Sequence, residues 1–414
     1  MSVKSDDGFW ELSDGKWIPT DKQKSVIANS GGIKPPSIPG KINTDQHTKF
    51  VPKVTQVTNN EVSTNLTGNE GYIQLGSLTT TKTHTAAAKA YLGNPFYQGF
   101  NSRIQFGTAG LRGRLGPGPN RMNQLTVRRL ATGLASYLGA GSKVVLGRDA
   151  RHKSKDFLDD IAAVMTANDI DVIVFPEVIP TPLLAFSVRH LKADMGIMVT
   201  ASHNPSTDNG CKVYMRDGAQ LRAPIDEEID NLIRESEFPS INMPQGNGTL
   251  VNADKSLEEA YCAAITKSLT QQNPKTRIAY TPLHGVAMGL IQKSFTKAQA
   301  GELIPVKTQM VPDADFPTVS FPNPEEHGVM DSVTDLAKAS NADLALANDP
   351  DGDRLAVAIP TLSGDWRLLS GDEIGALLFN HIAGKTSGGN RKVVTTIVCS
   401  KLVSKIAIKH GVEH

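Results

Sequence analysis

Three aspartates at alternate positions, Asp349, Asp351 and Asp353, stand between two short apolar runs, Leu344-Ala345-Leu346-Ala347 and Leu355-Ala356-Val357-Ala358-Ile359. Runs of this length and character read as buried strands. The sequence Asp349-Pro350-Asp351-Gly352-Asp353-Arg354 is then the turn between them, with its carboxylates aimed at one point. Three aspartates on a solvated turn are the alternative reading, which flanks this apolar disfavour. Oxygen-only, anionic, closely spaced ligands suit Mg²⁺, which keeps further sites for water or phosphate oxygens. A Ca²⁺-binding EF-hand loop is excluded, since the sixth position is Arg354 and the twelfth is Pro360, where glycine and glutamate are required.

A second apolar run, Met195-Gly196-Ile197-Met198-Val199, leads into Thr200-Ala201-Ser202-His203-Asn204-Pro205. The small polar residues, reaching Asn209-Gly210, read as a tight loop at a strand end. A hydroxyl there is exposed and rigidly held, as a nucleophile must be. The same serine could instead start a turn through its own backbone hydrogen bonds. Ser202 and His203 are not a hydrolase pair on this reading, because neighbouring side chains point apart in extended backbone. No G-x-S-x-G elbow occurs to supply one. Taken together, the two stretches describe a serine that carries a phosphoryl group beside a hard metal ion.

Thr-Ala-Ser-His-Asn-Pro and Asp-Pro-Asp-Gly-Asp-Arg resemble the phosphoserine loop and metal loop of the α-D-phosphohexomutases. Phe106-Gly107-Thr108-Ala109-Gly110-Leu111-Arg112-Gly113 resembles that family's entrance motif. The wider wording, Asp208-Asn209-Gly210-Cys211-Lys212-Val213-Tyr214, Ala347-Asn348-Asp349 and Gly371-Asp372-Glu373, is closest to the branch containing phosphoglucomutase and phosphopentomutase. The resemblance runs from about Asn94 to the end of the chain.

The chain has 414 residues, enough for two or more domains, and a net charge of +1 that gives no case for nucleic acid or membrane as partner. Three distant cysteines, Cys211, Cys262 and Cys399, suggest reduced thiols in the cytoplasm. No apolar run approaches membrane-spanning length, and the sequons at Asn65 and Asn247 read as chance matches. Residues 1–90 form an N-terminal extension, largely disordered on its composition. Within it Trp10 and Trp17 flank the turn Asp14-Gly15 in a two-stranded scrap that is either a docking tag for a protein partner or a stray tail. Gly31 to His84, rich in Pro, Thr, Asn and Ser, reads as linker.

From there α/β patterning takes over. A helix carries Leu130, Leu134, Tyr137 and Leu138 and ends at Gly139; a strand follows at Lys143 to Leu146. A helix then carries Phe157, Ile161, Val164 and Met165, and a strand spans Asp171 to Phe175. Lys212 is placed at the start of a further strand, where a lysine is an acid/base, a point charge for phosphate, or a solvated strand end. An acidic helix covers Asp226 to Glu237. A second unit opens with the strand Thr276 to Tyr280 and closes with the metal loop. A third opens with Lys392 to Val398 as strand and Leu402 to His410 as helix. Arg112, Arg114 and Arg121 fall in a Gly/Pro-rich segment suited to an anion. His284 sits where a strand meets a loop, a favoured place for sites in open sheets, although packing is the commoner fate of such a histidine. His203 would position substrate, ferry a proton or act as a structural donor.

The resemblance implies repeated three-layer α/β domains of the phosphohexomutase type: residues 91–270 as domain 1, 271–371 as domain 2 and 372–414 as the start of domain 3. It implies Ser202 as phosphoserine and as a ligand of Mg²⁺ with Asp349, Asp351 and Asp353. Lys212 would assist proton transfer, Arg112 and Arg354 would hold the phosphoryl group, and His203 belongs to the catalytic set. Thr108, Asn204 and His284 are candidates for phosphoryl or substrate contact. The implied activity is a phosphosugar mutase primed by glucose 1,6-bisphosphate, acting on glucose 1-phosphate or a pentose or mannose phosphate. A sugar-bisphosphate synthase, a slow sugar phosphatase and a non-catalytic sugar-phosphate-binding protein are the alternatives. Family members add sugar-gripping and phosphate-binding loops in the rest of domain 3 and in a fourth domain. This sequence has neither loop, and it is expected to be an incomplete chain.

Overall fold

The computed structural model describes residues 98–100, 102–236, 246–268 and 275–414, together with three short strands nearer the N-terminus. These strands, β1 (Val3–Lys4), β2 (Trp10–Ser13) and β3 (Lys16–Pro19), form an antiparallel sheet in that order within a separate unit, Met1–Glu61. Leu12 pairs with Trp17 and Ser13 with Lys16, the register expected from an Asp-Gly dipeptide between the strands. The scrap read as two-stranded therefore has a third strand, whose two residues are too few to show a period. The stretch from Gly31 to His84 lies outside the described residues.

In the larger unit, the first sheet comprises β4 (Leu111–Arg114), β5 (Lys143–Arg148), β6 (Asp171–Val174), β7 (Met195–Val199), β8 (Asp208–Met215) and β9 (Leu250–Asn252), in the order β4-β8-β7-β5-β6-β9. β7, β5, β6 and β9 run parallel; at one side β8 pairs antiparallel with β7, and β4 antiparallel with β8. Helices cover both faces. Val144 and Leu146 of β5 pack with Leu130 of α1 (Gln124–Leu138), Ile161 of α2 (Ser154–Ala167) and Ile229 of α4 (Ile225–Glu235). Val145, between them, faces Leu184 of α3 (Thr181–His190) and Leu257 of α5 (Ser256–Ser268). Burial on both faces is why β5 and β7 read as unbroken apolar runs. Asn123 caps α1 by accepting from the Thr126 amide, and Gly139 closes it with φ +76°.

The second sheet comprises β10 (Arg277–Thr281), β11 (Glu302–Pro305), β12 (Leu344–Asn348), β13 (Leu355–Pro360) and β14 (Trp366–Leu368), ordered β11-β10-β12-β13-β14. β11, β10 and β12 are parallel, and β13 and β14 follow as an antiparallel meander. Its core is built from small residues, Ala279, Ala345, Ala347, Ala356 and Ala358, closed by Val333 and Ala337 of α7 (Asp331–Ser340). Leu290 of α6 (Met288–Ala298) packs into the first domain's second core, so the two sheets share apolar contacts.

Beyond β14, α8 (Gly371–Lys385) begins with a capping box between Ser370 and Glu373, and α9 (Leu402–His410) lies against it. The strand expected at Lys392 to Val398 is not formed. Lys392 makes one isolated parallel bridge to Glu413, while Val394, Ile397 and Val398 are almost fully exposed. A strand is defined by a partner, and the described residues offer this apolar run none. Among the described residues no helix is long and apolar enough to cross a membrane.

Candidate active site

The carboxyl end of β7 delivers Ser202. Thr200 is fixed by its amide to the Gly210 carbonyl at 2.9 Å, and its Oγ1 accepts from the Ser202 amide at 2.9 Å. Ser202 adopts φ +54°, a left-handed conformation that costs a non-glycine residue about 1–2 kcal/mol and persists only when its surroundings enforce it. This turn overturns the expectation of extended backbone: the Ser202 Oγ and His203 Nδ1 approach to 3.3 Å. Ser202 is 1% exposed, and its hydroxyl donates to Asp349 Oδ2 at 2.7 Å.

The carboxyl end of β12 delivers the acidic turn. Asp349, Asp351 and Asp353 each place a carboxylate oxygen within 4.8 Å of the others, the first two fully buried. The turn is tied down on several sides. The Arg354 amide donates to Asp349 Oδ1 at 3.0 Å, the Val286 amide to the Pro350 carbonyl at 2.9 Å and the Thr181 amide to the Asp351 carbonyl at 2.8 Å. Gly285 is required here, since a Cβ would lie 2.3 Å from the Pro350 carbonyl oxygen. The donor set fits Mg²⁺: hard oxygens alone, crowded together, with Asp351 Oδ1 buried and without a hydrogen-bond partner. Burial, reinforced by Asp351 and Asp353, holds the Asp349 carboxyl well above the usual carboxylate range.

Lys212 crosses to this cluster from β8, its Nζ 2.6 Å from Asp351 Oδ2 and 2.5 Å from Asp353 Oδ2. It lies mid-strand, not at the strand's start, because Asn209 and Gly210 extend β8 backwards. Asn209 buries its amide on the His152 carbonyl and Ser154 Oγ, and the bare Gly210 admits the Leu111 carbonyl and the Arg112 stem. Burial alone would discharge Lys212, but Asp351 and Asp353 outweigh it and raise its pKa. For Asp351, burial pushes the pKa upward and loses to the Lys212 charge and to the hydrogen bonds from Lys212 and Thr181. His203 is pushed down to about 4, first by burial and then by the charges of Arg354 and Arg112. Its imidazole is therefore neutral at neutral pH.

The other candidates divide. Arg112 lies on β4 opposite Gly210, with a buried, unpaired Nε. Arg354 is half-exposed, its Nε 4.0 Å from Asp349 Oδ2. Asn204 turns its side chain to Asp208 at 3.0 Å and holds the loop together. His284 is buried, with Nε2 2.8 Å from Thr318 Oγ1. Thr108 is exposed in the turn Gly107 to Gly110, and its carbonyl accepts from Gln220.

Sequence reading passed over Asp149, Arg151 and Thr181. Asp149 and Arg151 follow β5, the parallel neighbour of β7, and the carboxyl ends of adjacent parallel strands are where sites form. Thr181 opens α3 and donates its hydroxyl to Asp351 Oδ2 at 2.5 Å. With Lys212 on the same oxygen, Oδ1 is left for a cation. Thr181→Val keeps the shape and removes the donor. It is expected to weaken Mn²⁺ or Mg²⁺ binding by about tenfold, read by titration calorimetry; an unchanged affinity would count against this role.

A buried serine hydroxyl, a carboxylate triad and a charged lysine, held where two α/β sheets meet, are the parts of a phosphoryl-transfer centre. Residues 103–240 match phosphoglucomutase/phosphomannomutase alpha/beta/alpha domain I, and residues 259–364 match domain II. The chain belongs to the α-D-phosphohexomutase superfamily. It is 36% identical over 327 residues to a phosphoglucomutase of Staphylococcus aureus, covering 77% of this chain and 59% of that one. It is 35% identical to a phosphoribomutase of Saccharomyces cerevisiae (79% and 58% covered) and 37% identical to a human phosphopentomutase (75% and 56%). The chain thus spans a little under three fifths of these relatives. A solved phosphoglucomutase/phosphomannomutase family protein from Burkholderia thailandensis has the same fold, with a TM-score of 0.63 at 23% identity over 75% of this chain and 65% of that one.

Proposed function

We propose that this chain carries the phosphoryl-transfer half of a phosphosugar mutase, in which Ser202 is phosphorylated and passes the group to a hydroxyl of an aldose phosphate. The observation that carries the reading is the 2.7 Å contact between the buried Ser202 hydroxyl and Asp349, within a carboxylate triad answered by Lys212. Asp349, Asp351, Asp353 and an oxygen of the phosphorylated Ser202 would hold Mg²⁺, which when bound neutralises phosphoryl oxygens. In transfer the bond from phosphorus to Ser202 Oγ breaks as one to the sugar oxygen forms. The sugar hydroxyl gives up a proton and Ser202 Oγ regains one. Neutral His203, with Nδ1 3.3 Å from Ser202 Oγ, is the group able to take a proton there, and protonated Lys212, held on Asp351 and Asp353, is the group able to give one. Arg112 and Arg354 bring positive charge to the moving group. The aspartates serve as ligands and accept no phosphoryl group.

The phosphoglucomutase relative supports glucose 1-phosphate and glucose 6-phosphate as the substrate pair, and the phosphoribomutase and phosphopentomutase relatives make a pentose phosphate the neighbouring choice; glucose 1,6-bisphosphate is the primer this reading assigns. Incubation with glucose 1,6-bisphosphate and Mg²⁺ should add one phosphoryl group at Ser202, located by peptide mass spectrometry. A wild-type chain that stays unmodified at Ser202 would sink the reading.

A further inference from the structure

We propose that Arg151 is the positioning residue of the Ser202 loop, its buried guanidinium gathering four backbone carbonyls and thereby setting where the Ser202 hydroxyl faces the carboxylates. The inference rests on Ser202 being the phosphoryl carrier. Arg151 is 4% exposed. Its Nη2 donates to the carbonyls of Ser202 at 2.8 Å and Asn204 at 2.6 Å, and its Nη1 to those of Pro205 at 2.7 Å and Asp208 at 3.2 Å. The loop from Ser202 to Asp208 is thus wrapped around one side chain.

Arg151 is itself held in place. Its Nε lies 3.3 Å from Asp149 Oδ2, and Asp149 Oδ1 accepts from the Arg151 amide at 3.0 Å and from Ser154 Oγ at 2.7 Å. The Phe316 ring, from the segment between β11 and α7, lies 4.9 Å from its Cζ and covers one face. Both terminal nitrogens are engaged by backbone carbonyls and Nε is buried at ion-pair distance from Asp149 without a hydrogen bond, so Arg151 is not one of the arginines that meet the phosphoryl group. It acts through the loop. The bond to the Ser202 carbonyl also bears on the strained φ of that residue, which needs its surroundings to sustain it. A lysine could not substitute: its point charge lacks the planar fork that spans four carbonyls.

The test compares the full wild-type chain with Arg151→Lys, and with Asp149→Asn as a milder variant that keeps the arginine should the first fail to fold. Amide exchange of peptides covering residues 200–208 is measured beside the rate of Ser202 phosphorylation at saturating glucose 1,6-bisphosphate. In Arg151→Lys the loop is expected to exchange about tenfold faster, with strands β5 and β7 unchanged, and phosphorylation to slow by at least about tenfold. In Arg151→Ala, guanidinium ion should restore part of the rate and methylammonium none. Wild-type exchange and rate in Arg151→Lys would overturn the proposal; so would loss of protection across the whole first sheet, which would make Arg151 a general determinant of folding. If the wild type takes up no phosphoryl group, the reading of Ser202 falls, and the exchange comparison alone decides on Arg151.

Discussion

Ser202→Ala is expected to abolish phosphoryl uptake from glucose 1,6-bisphosphate, and with it any glucose 1-phosphate to glucose 6-phosphate conversion, by at least about 10⁴-fold, the scale on which losing a covalent nucleophile is felt. The substitution also touches the fold. It removes the donor to Asp349 Oδ2 and leaves a Cβ-bearing residue at φ +54° without the hydroxyl that anchors it. A stability loss of about 1–2 kcal/mol is expected from the lost hydrogen bond to a buried acceptor. Ser202→Gly separates the two effects. Glycine accepts the left-handed backbone without strain, so its unfolding midpoint should lie above that of the alanine variant while its phosphoryl uptake stays equally absent. Measurable transfer in either variant would mean that another group carries the phosphoryl.

The two loops were legible in the sequence because each is a polar interruption between apolar strands, and a strand as fully buried as β7 is hard to mistake. Asp349, Asp351 and Asp353 converge as their alternate spacing implies, and the helices around Leu130 and Ile161 fall where their periods put them. What the sequence hid was distant in the chain. Arg151 reaches the Ser202 loop across more than fifty residues, and Thr181 reaches Asp351 across 170. No local pattern marks such a partner; the marker is the position of Asp149 and Arg151 at the end of a strand parallel to β7, which requires the sheet order first. Asn209 and Gly210 misled for a related reason. Their composition says turn, yet a buried amide network and a close backbone approach hold them in β8 and carry Lys212 into the site. Val394, Ile397 and Val398 misled in the opposite sense: their composition says strand, and no neighbouring strand is present among the described residues to make them one.

Asp349→Asn is expected to stabilise the metal-free chain while destroying its function. Asp349 is buried beside two further carboxylates, and Lys212, their close cationic partner, bonds to Asp351 and Asp353 instead. Burial and the two neighbouring negative charges raise its pKa. A carboxyl whose folded pKa exceeds its unfolded value binds its proton more tightly when folded. Stability then falls as pH rises from the unfolded value, about 3.9, through the folded one, and the ionised group above that window is a net cost. Asparagine carries no such charge, and its geometry suits the neighbours: its Oδ1 still accepts from the Arg354 amide, and its Nδ2 donates to a Ser202 hydroxyl free to rotate. In buffer with chelator, the unfolding midpoint of Asp349→Asn should exceed that of wild type at pH 7 and converge with it toward pH 4. Mg²⁺ should reverse the order, because a cation binding only the folded wild type raises its midpoint in proportion to the logarithm of its concentration, and the variant has lost one ligand charge. Phosphoryl uptake at Ser202 should fall by about 10²-fold or more, the range for removing a charged group from a preorganised electrostatic site. A midpoint below wild type at pH 7 without metal would show that Asp349 stabilises the loop as a hydrogen-bond acceptor more than its charge disturbs it, and the triad would then be structural before it is catalytic.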